Sequence, residues 1–347
     1  MVASTSSTKT ICLALQGGGS HGAFTWGVLD RLLEEESIDI QAVSGTSAGA
    51  MNAAVLTDAL KSGHRHTARL RLEAFWRCIS DAGSGVFRPG RMVVPGVGGN
   101  QDWSPIAVWS EMVSLVWSPY DNPFYDNLLA GVVTESLPDF DAINDARTPY
   151  TFICATDVRT NQRKIFGPGE ITADSLLASA CLPTLFRAVD VNGHTYWDGG
   201  YLGNPALEPL RSPALAPDLV IVWVNPLYEQ DIPTNARAIQ NRLNEITFNA
   251  ALVGEMREIE AINELRPRTA GAPYKHVRLH QISDQRYMSK LGYVSKTNTD
   301  WTFLTELRGV GRATAERWLA AHLDDIGVRA TLDLPATLNS LDLPSPA

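Results

Sequence analysis

Apolar residues fall along this chain in two alternating textures, and their order predicts a fold. Runs that are apolar almost throughout occupy residues 11–16, 150–156 and 219–225, with further strand-like runs at 40–44, 194–197 and 276–282. Continuous rather than alternating patterns suit strands covered on both faces, as in a parallel sheet. Between the runs the period becomes helical. Phe24, Val28, Leu29, Leu32 and Leu33 share one face of a segment that ends in the acidic run 34–36; a second helix starts near Ser47; a third, over 66–80, carries Leu70, Ala74, Phe75 and Cys78. Farther on, Ile239, Leu243, Ile246, Ala250 and Val253 at three- and four-residue spacing predict a long helix or helical pair over 235–266, stopped at Pro267. An amphipathic helix is expected over 301–323. Strand, helix, strand, helix predicts an α/β fold of three layers, a mostly parallel central sheet flanked by helices, with helical additions at the C-terminus.

Two stretches break the pattern. Residues 83–102, GSGVFRPGRMVVPGVGGNQD, are too rich in Gly and Pro for regular elements and read as a long loop. Trp103, Trp109, Trp117, Tyr120, Phe124 and Tyr125 follow it, either as helices packing aromatic rings into the core or as a lid or lipid-facing surface. The expected organisation is a disordered N-terminus over 1–10 and an α/β domain over 11–230 that carries a loop-rich aromatic insertion at 83–135. Helices and a strand over 231–333 then pack on the same domain, and a flexible tail covers 334–347.

Composition narrows the classes of function. The 347 residues carry 38 acidic against 29 basic side chains, a formal charge of −9, which argues against a nucleic-acid partner and against a polybasic anchor to anionic lipid. Any contact with a membrane or lipid surface is then apolar and transient. Cys12, Cys78, Cys154 and Cys181 are scattered without a C-x-x-C pair, so neither a disulfide framework nor a zinc site is indicated, and no metal or cofactor is expected. The polar start MVASTSSTKT is followed by only one strand of apolar residues, and nowhere do about 18 apolar residues run together. A cytoplasmic protein, at most peripheral at lipid surfaces, is the expectation.

The chemistry starts at LALQGGGSHGAF, residues 13–24, where Gly17, Gly18 and Gly19 follow a buried-type strand and precede a helix. Such a turn exposes backbone N–H groups at the positive end of the helix and holds negative charge. Gly17, Gly19 and Gly22 match G-x-G-x-x-G, so a nucleotide phosphate is one reading, with Glu36 or Asp39 in the ribose-binding role. The next strand ends in AVSGTSAGA, residues 42–50, where Gly45, Ser47 and Gly49 form a G-x-S-x-G turn. Small residues there allow the sharp elbow that lifts a serine hydroxyl clear of the backbone. Adjacent parallel strands bring both turns to the same sheet edge.

A serine needs a base, because its own pKa lies far above 7. His64, His66, His276, His280 and His322 have no signature around them; His21, inside the glycine loop, and His194, four residues before an aspartate, are the more notable. That aspartate is Asp198 in YWDGGYLGNP, followed by Gly199 and Gly200, so it is either a turn residue or a carboxylate presented at a strand end.

The ordered set of glycine-rich loop, G-x-S-x-G and later D-G-G resembles the patatin-like phospholipase family over residues 11 to 209. The resemblance implies that Ser47 is a nucleophile, Asp198 the base of a Ser-Asp dyad without histidine, and the loop of Gly17, Gly18, Gly19, Ser20 and Gly22 the oxyanion hole, chiefly through amides around Gly18 and Gly19. ASACLPTLF (178–186) and Asn204-Pro205 resemble stretches that family members carry near the site. One departure stands out: where many members have a basic residue before the last glycine of the loop, this chain has His21. The implied activity is hydrolysis of a lipid or other acyl ester. Weighed beside it are an acyltransferase using the same acyl-enzyme, an α/β-hydrolase with a late histidine, a dehydrogenase, and a phosphate- or nucleotide-binding module in which Ser47 is only a helix N-cap.

Overall fold

The computed structural model describes residues 8–83, 118–122, 125–229, 231–265 and 275–339. Its strands are β1 (Lys9–Leu15), β2 (Ile38–Thr46), β3 (Tyr150–Asp157), β4 (Gln162–Phe166), β5 (Val189–Val191), β6 (His194–Asp198), β7 (Asp218–Val222) and β8 (Arg278–Ile282), all in one sheet. β3, β2, β1, β7 and β8 pair in that order and in parallel, whereas β4 and β6 pair with β3, and β5 with β6, antiparallel. The mostly parallel centre explains the continuous apolar runs. Ile11, Leu13 and Leu15 of β1 join one core with Val43, Val220 and Val222, while Cys12 and Ala14 join a second with Leu219, Ile221 and Trp223. Both faces of β1 are dry, so no alternation is needed.

Helices cover the two faces: α1 (Gly22–Leu32), α2 (Ala48–Ser62), α3 (Arg65–Gly83), α4 (Leu128–Ser136), α5 (Ala173–Ser179), α6 (Ala236–Leu265), α7 (Trp301–His322) and α8 (Leu334–Asn339). The first core takes side chains from α1 to α5 and from α7; the second takes Leu252, Met256 and Ile259 of α6 and Leu334 of α8. This is the expected α/β class with a three-layer build. None of the described helices is long and apolar enough to cross a membrane.

α7 is tied to α1 and α3 by charge as well as packing. The fully buried carboxylate of Asp30 on α1 meets Arg69 at 2.6 Å, Arg308 at 3.0 Å and Arg312. Burial alone would raise its pKa, but hydrogen bonds from Arg69 and Arg312 and the charge of Arg308 outweigh that and lower it.

Several elements differ from expectation. β4 and β5 went unread because both lie in the antiparallel part and are only partly covered, with polar residues in QRKIF and VDV. On α3 the inward residues are Ala68, Leu72, Phe75 and Trp76, leaving Leu70 55% exposed. Trp76 decides the rotation: it stacks on Trp26 with ring centroids 6.4 Å apart, and its indole N–H donates to Asn52 Oδ1 at 3.1 Å. On α6 the expected stripe faces outward, with Ile239 43%, Leu243 52% and Ile246 51% exposed. Its buried face instead carries Phe248, Asn249, Leu252, Glu255, Met256 and Ile259. Asn249 and Glu255 explain that choice, since their amide and carboxylate satisfy backbone and side-chain groups at the sheet edge: Asn249 takes Gln16 and Trp223, and Glu255 takes the amides of Leu207 and Glu208.

Lys9 and Thr10, expected in a disordered start, begin β1, and residues 334–339, expected in a flexible tail, form α8. Within the aromatic insertion, residues 84–117 and 123–124, and with them Trp103, Trp109, Trp117, Phe124 and the lid expectation, lie outside the described residues. Tyr120 and Tyr125 are described: their hydroxyls accept hydrogen bonds from Ala188 N at 3.0 Å and Arg187 N at 3.1 Å.

Candidate active site

The pairing pattern brings Ser47 and Asp198 together. β4 occupies one flank of β3 from Ile153 to Asp157. On the other flank β2 runs parallel and ends with Thr46 opposite Cys154, while β6 runs antiparallel and ends with Asp198 opposite Ala155. Two strands therefore meet end to end beside adjacent residues of β3. Side chains of β2 tie it to the segment that follows β6: Ser44 Oγ donates to Ala206 O and Thr46 Oγ1 to Gly203 O, each at 2.6 Å.

Ser47 sits at the turn from β2 into α2 with φ 56° and ψ −125°, a left-handed conformation that L residues seldom adopt. The turn is held rather than relaxed: its amide donates to Ser179 Oγ at 3.0 Å, and Gly45 and Gly49 face each other across it. Strain of this kind, of order 1–3 kcal/mol, persists where surrounding structure over-determines it, commonly at functional sites. The expected sharp elbow is present, and Ser47 is not a side-chain N-cap of α2.

Asp198 is fully buried at the end of β6. Its Oδ1 accepts from Gly200 N at 2.7 Å, and Oδ2 has no donor in normal hydrogen-bonding geometry among the described residues. Burial pushes its pKa up to about 7, against the pull of the Gly200 amide, the nearby Ser47 hydroxyl and the positive charge of Lys296. A carboxyl of that acidity beside a serine hydroxyl can accept its proton near neutral pH.

The glycine loop lies against both. Gly17 is pressed on the elbow, so that a Cβ there would stand 2.6 Å from Thr46 O and 2.7 Å from Ser47 Cβ; Gly19, with φ +58°, would meet Lys296 O at 2.2 Å. Ser20 is buried in the 3-10 turn Gly19–His21, and Gly22 starts α1 beside Ala48. Among the described residues, no acceptor binds the amides of Gly18 and Gly19. Gly17 differs from expectation, because its amide already donates to Asn204 Oδ1 at 2.7 Å and is not available to a ligand.

Polar side chains behind the loop fix it. Gln16 Oε1 accepts from the amides of Val224 and Asn225, and Asn225 Nδ2 donates to Gly17 O at 2.8 Å. Asn204, Ser179 and Asn225 sit in or beside stretches quoted from the sequence, whereas nothing in the sequence marks Lys296. Its Nζ donates to Asn225 Oδ1 at 2.7 Å and lies 5.7 Å from the Phe248 ring centroid. Part of the Lys296 side chain is exposed, but its ammonium is enclosed, which lowers its pKa to about 8 despite the charges of Glu245 and Asp198. His21, where a cation was expected by resemblance, is buried with Nε2 2.7 Å from Ser295 Oγ. Burial, reinforced by Lys296, pushes its pKa down to about 3, so it is neutral.

Of the other histidines, His194 is engaged with Asp157, His280 with Asp218 and Thr331, and His322 with Asp325. Among the described residues no group of three or more His, Cys, Asp or Glu is arranged to hold a metal ion.

A strained serine at a strand-to-helix elbow, a buried carboxyl at a facing strand end and a glycine loop with open amides thus come together in an α/β fold. A family profile described as patatin-like phospholipase matches residues 13–211, more than half of the chain. The chain belongs to the patatin-like phospholipase family. Among solved structures it is similar to VipD from Legionella pneumophila, at 15% identity and TM-score 0.35, covering 86% of this chain and 66% of that one. It is also similar to the type III effector ExoU of Pseudomonas aeruginosa, at 14% identity and TM-score 0.38, covering 93% of this chain and 54% of that one. The chain thus spans between about half and two thirds of those proteins. A comparison with curated proteins found no match.

Proposed function

We propose that this protein is a serine lipid acyl hydrolase that cleaves carboxylic ester bonds through an acyl intermediate on Ser47. The observation that carries the reading is the end-to-end meeting of β2 and β6, which sets the Ser47 hydroxyl beside a buried carboxyl whose pKa lies at about 7. Asp198 takes the serine proton as Oγ attacks the ester carbonyl, and the amides of Gly18 and Gly19 receive the developing oxyanion. Collapse of the tetrahedral intermediate expels the alcohol, which takes its proton from Asp198. Water then attacks the acyl-serine, with the same carboxylate as base, and releases the carboxylic acid. An oxyanion donor of this kind is worth about 3–4 kcal/mol in the transition state.

A phospholipase A activity falls within this reading, as does transient contact with a lipid surface. Support for the latter comes from α6, whose exposed Ile239, Leu243 and Ile246 share a helix with Phe248, the ring packed against Gly200. The buried Asp198 carboxyl beside the glycine loop disfavours a phosphate ligand there. Hydrolysis of p-nitrophenyl butyrate by wild type, Ser47→Ala and Asp198→Asn tests the proposal. Both variants are expected to lose at least about 10³-fold in kcat/KM while remaining folded; full activity in Ser47→Ala would refute it.

A further inference from the structure

The glycine loop has no cation of its own, because His21 is buried and neutral. Yet a positive charge reaches the site from the other end of the chain. Lys296 lies on the 3-10 turn Tyr293–Thr297, which packs against the turn Gly19–His21. Its backbone carbonyl abuts Gly19, its neighbour Ser295 holds His21, and its Nζ is fixed at 2.7 Å on Asn225 Oδ1, whose amide nitrogen grips Gly17 O. On the far side Nζ faces Phe248, and that ring lies so close to Gly200 that a Cβ there would stand 2.3 Å from Cε1. The ammonium is therefore bracketed between the glycine loop and the Asp-Gly-Gly turn.

We propose that Lys296 is a positioning residue of this site: delivered by the C-terminal segment, its ammonium sets a positive charge between the glycine loop and the Asp-Gly-Gly turn and acts there on the Asp198 carboxyl. The inference rests on the acyl-hydrolase reading. The titratable groups facing Asp198 are Cys154 on β3, Cys181 after α5 and Lys296; both thiols are pushed up by burial and stay neutral. Those facing Lys296 are Glu245 on α6, Asp198 and the neutral His21. Glu245 is itself paired with Arg242 at 2.9 Å. Among the described residues Lys296 is thus the cation that acts on Asp198, and burial alone would leave that carboxyl still harder to ionise.

The test compares full-length wild type with Lys296→Gln, Lys296→Met and Lys296→Arg, following fluorophosphonate labelling of Ser47 and p-nitrophenyl butyrate hydrolysis from about pH 5 to about pH 9. Glutamine can still donate to Asn225, so it removes the charge while keeping the hydrogen bond, and thermal unfolding checks each variant. In the neutral variants the acidic limb is expected to move up by about one pH unit, with roughly tenfold slower labelling at about pH 6 and a rate at about pH 9 within about threefold of wild type. Arginine should restore the wild-type limb. A uniform loss at every pH, or an unmoved limb in Lys296→Gln, would overturn the proposal while leaving Ser47 chemistry intact. A wild type whose Ser47 does not label at all would remove the hydrolase reading and this inference together.

Discussion

At Asp198 the proposed role as base and the stability of the fold pull in opposite directions. Its carboxyl ionises near the ordinary 3.8 when unfolded and at about 7 when buried in the fold. Between those values the folded state holds a proton that the unfolded state has released. The stability this group contributes is therefore full below about pH 4 and is lost as pH rises through about 7, reaching a cost of at most about 4 kcal/mol under alkaline conditions. Asp198→Asn should then be inactive yet raise thermal stability at about pH 8, with no gain at about pH 4, measured by unfolding at both. A lower stability at both would contradict the burial argument. Part of this scale was legible: Ser47, Gly45, Asp198 and the glycines lie in motifs that resemble those of the family, and the resemblance is what links them to the proposed chemistry. Gly17 shows the limit, since the binding of its amide by Asn204, nearly two hundred residues away, depends on tertiary structure. Lys296 shows it more sharply, having no neighbouring signal that distinguishes it from any other surface lysine.

Among the elements, the meeting of β2 and β6 beside β3 does most to make the site. The loop that closes it has almost no spare room, so Gly17→Ala, whose Cβ would press on Thr46 O and on the Ser47 side chain, should lower both stability and kcat. A cost of about 1–3 kcal/mol in unfolding, as for an overpacked core, and a larger loss in turnover are expected. Gly131→Ala on α4, where nothing lies within 4 Å, is the control: it should leave kcat unchanged and raise stability by about 0.5–1 kcal/mol through helix propensity. Strands buried on both faces were read correctly from continuous apolar runs, whereas the half-covered β4 and β5 have no such signature. Helix faces were less legible. Periodicity located α6, but the hydrogen bonds of Asn249 and Glu255 turned it so that the apolar stripe faces out. If that stripe meets lipid, Leu243→Asp should weaken hydrolysis of phospholipid vesicles at least about tenfold and leave p-nitrophenyl butyrate hydrolysis unchanged.

Across the whole molecule, the site is assembled from both ends of the chain. The matched family region supplies Ser47, Asp198 and the glycine loop, and the later segment supplies Asn225, Phe248 and Lys296. α7 ties that later segment to α1 through Asp30, whose partners Arg69, Arg308 and Arg312 are each partly exposed. Asp30→Ala should cost about 3 kcal/mol, less than a fully buried network because the arginines can turn to water, and should be read as a fall in melting temperature. The α/β class and the order of motifs follow from the sequence; how the C-terminal segment folds back onto the loop does not, because it rests on contacts between residues far apart in the chain.

The central claim is that Ser47 is an activated nucleophile, and covalent labelling tests it most directly. Purified protein treated with a fluorophosphonate, digested and analysed by peptide mass spectrometry should carry one adduct on the peptide that contains Ser47, absent in Ser47→Ala and formed much more slowly in Asp198→Asn. An adduct on another residue, or an unlabelled Ser47 in the presence and in the absence of lipid micelles, would contradict the account.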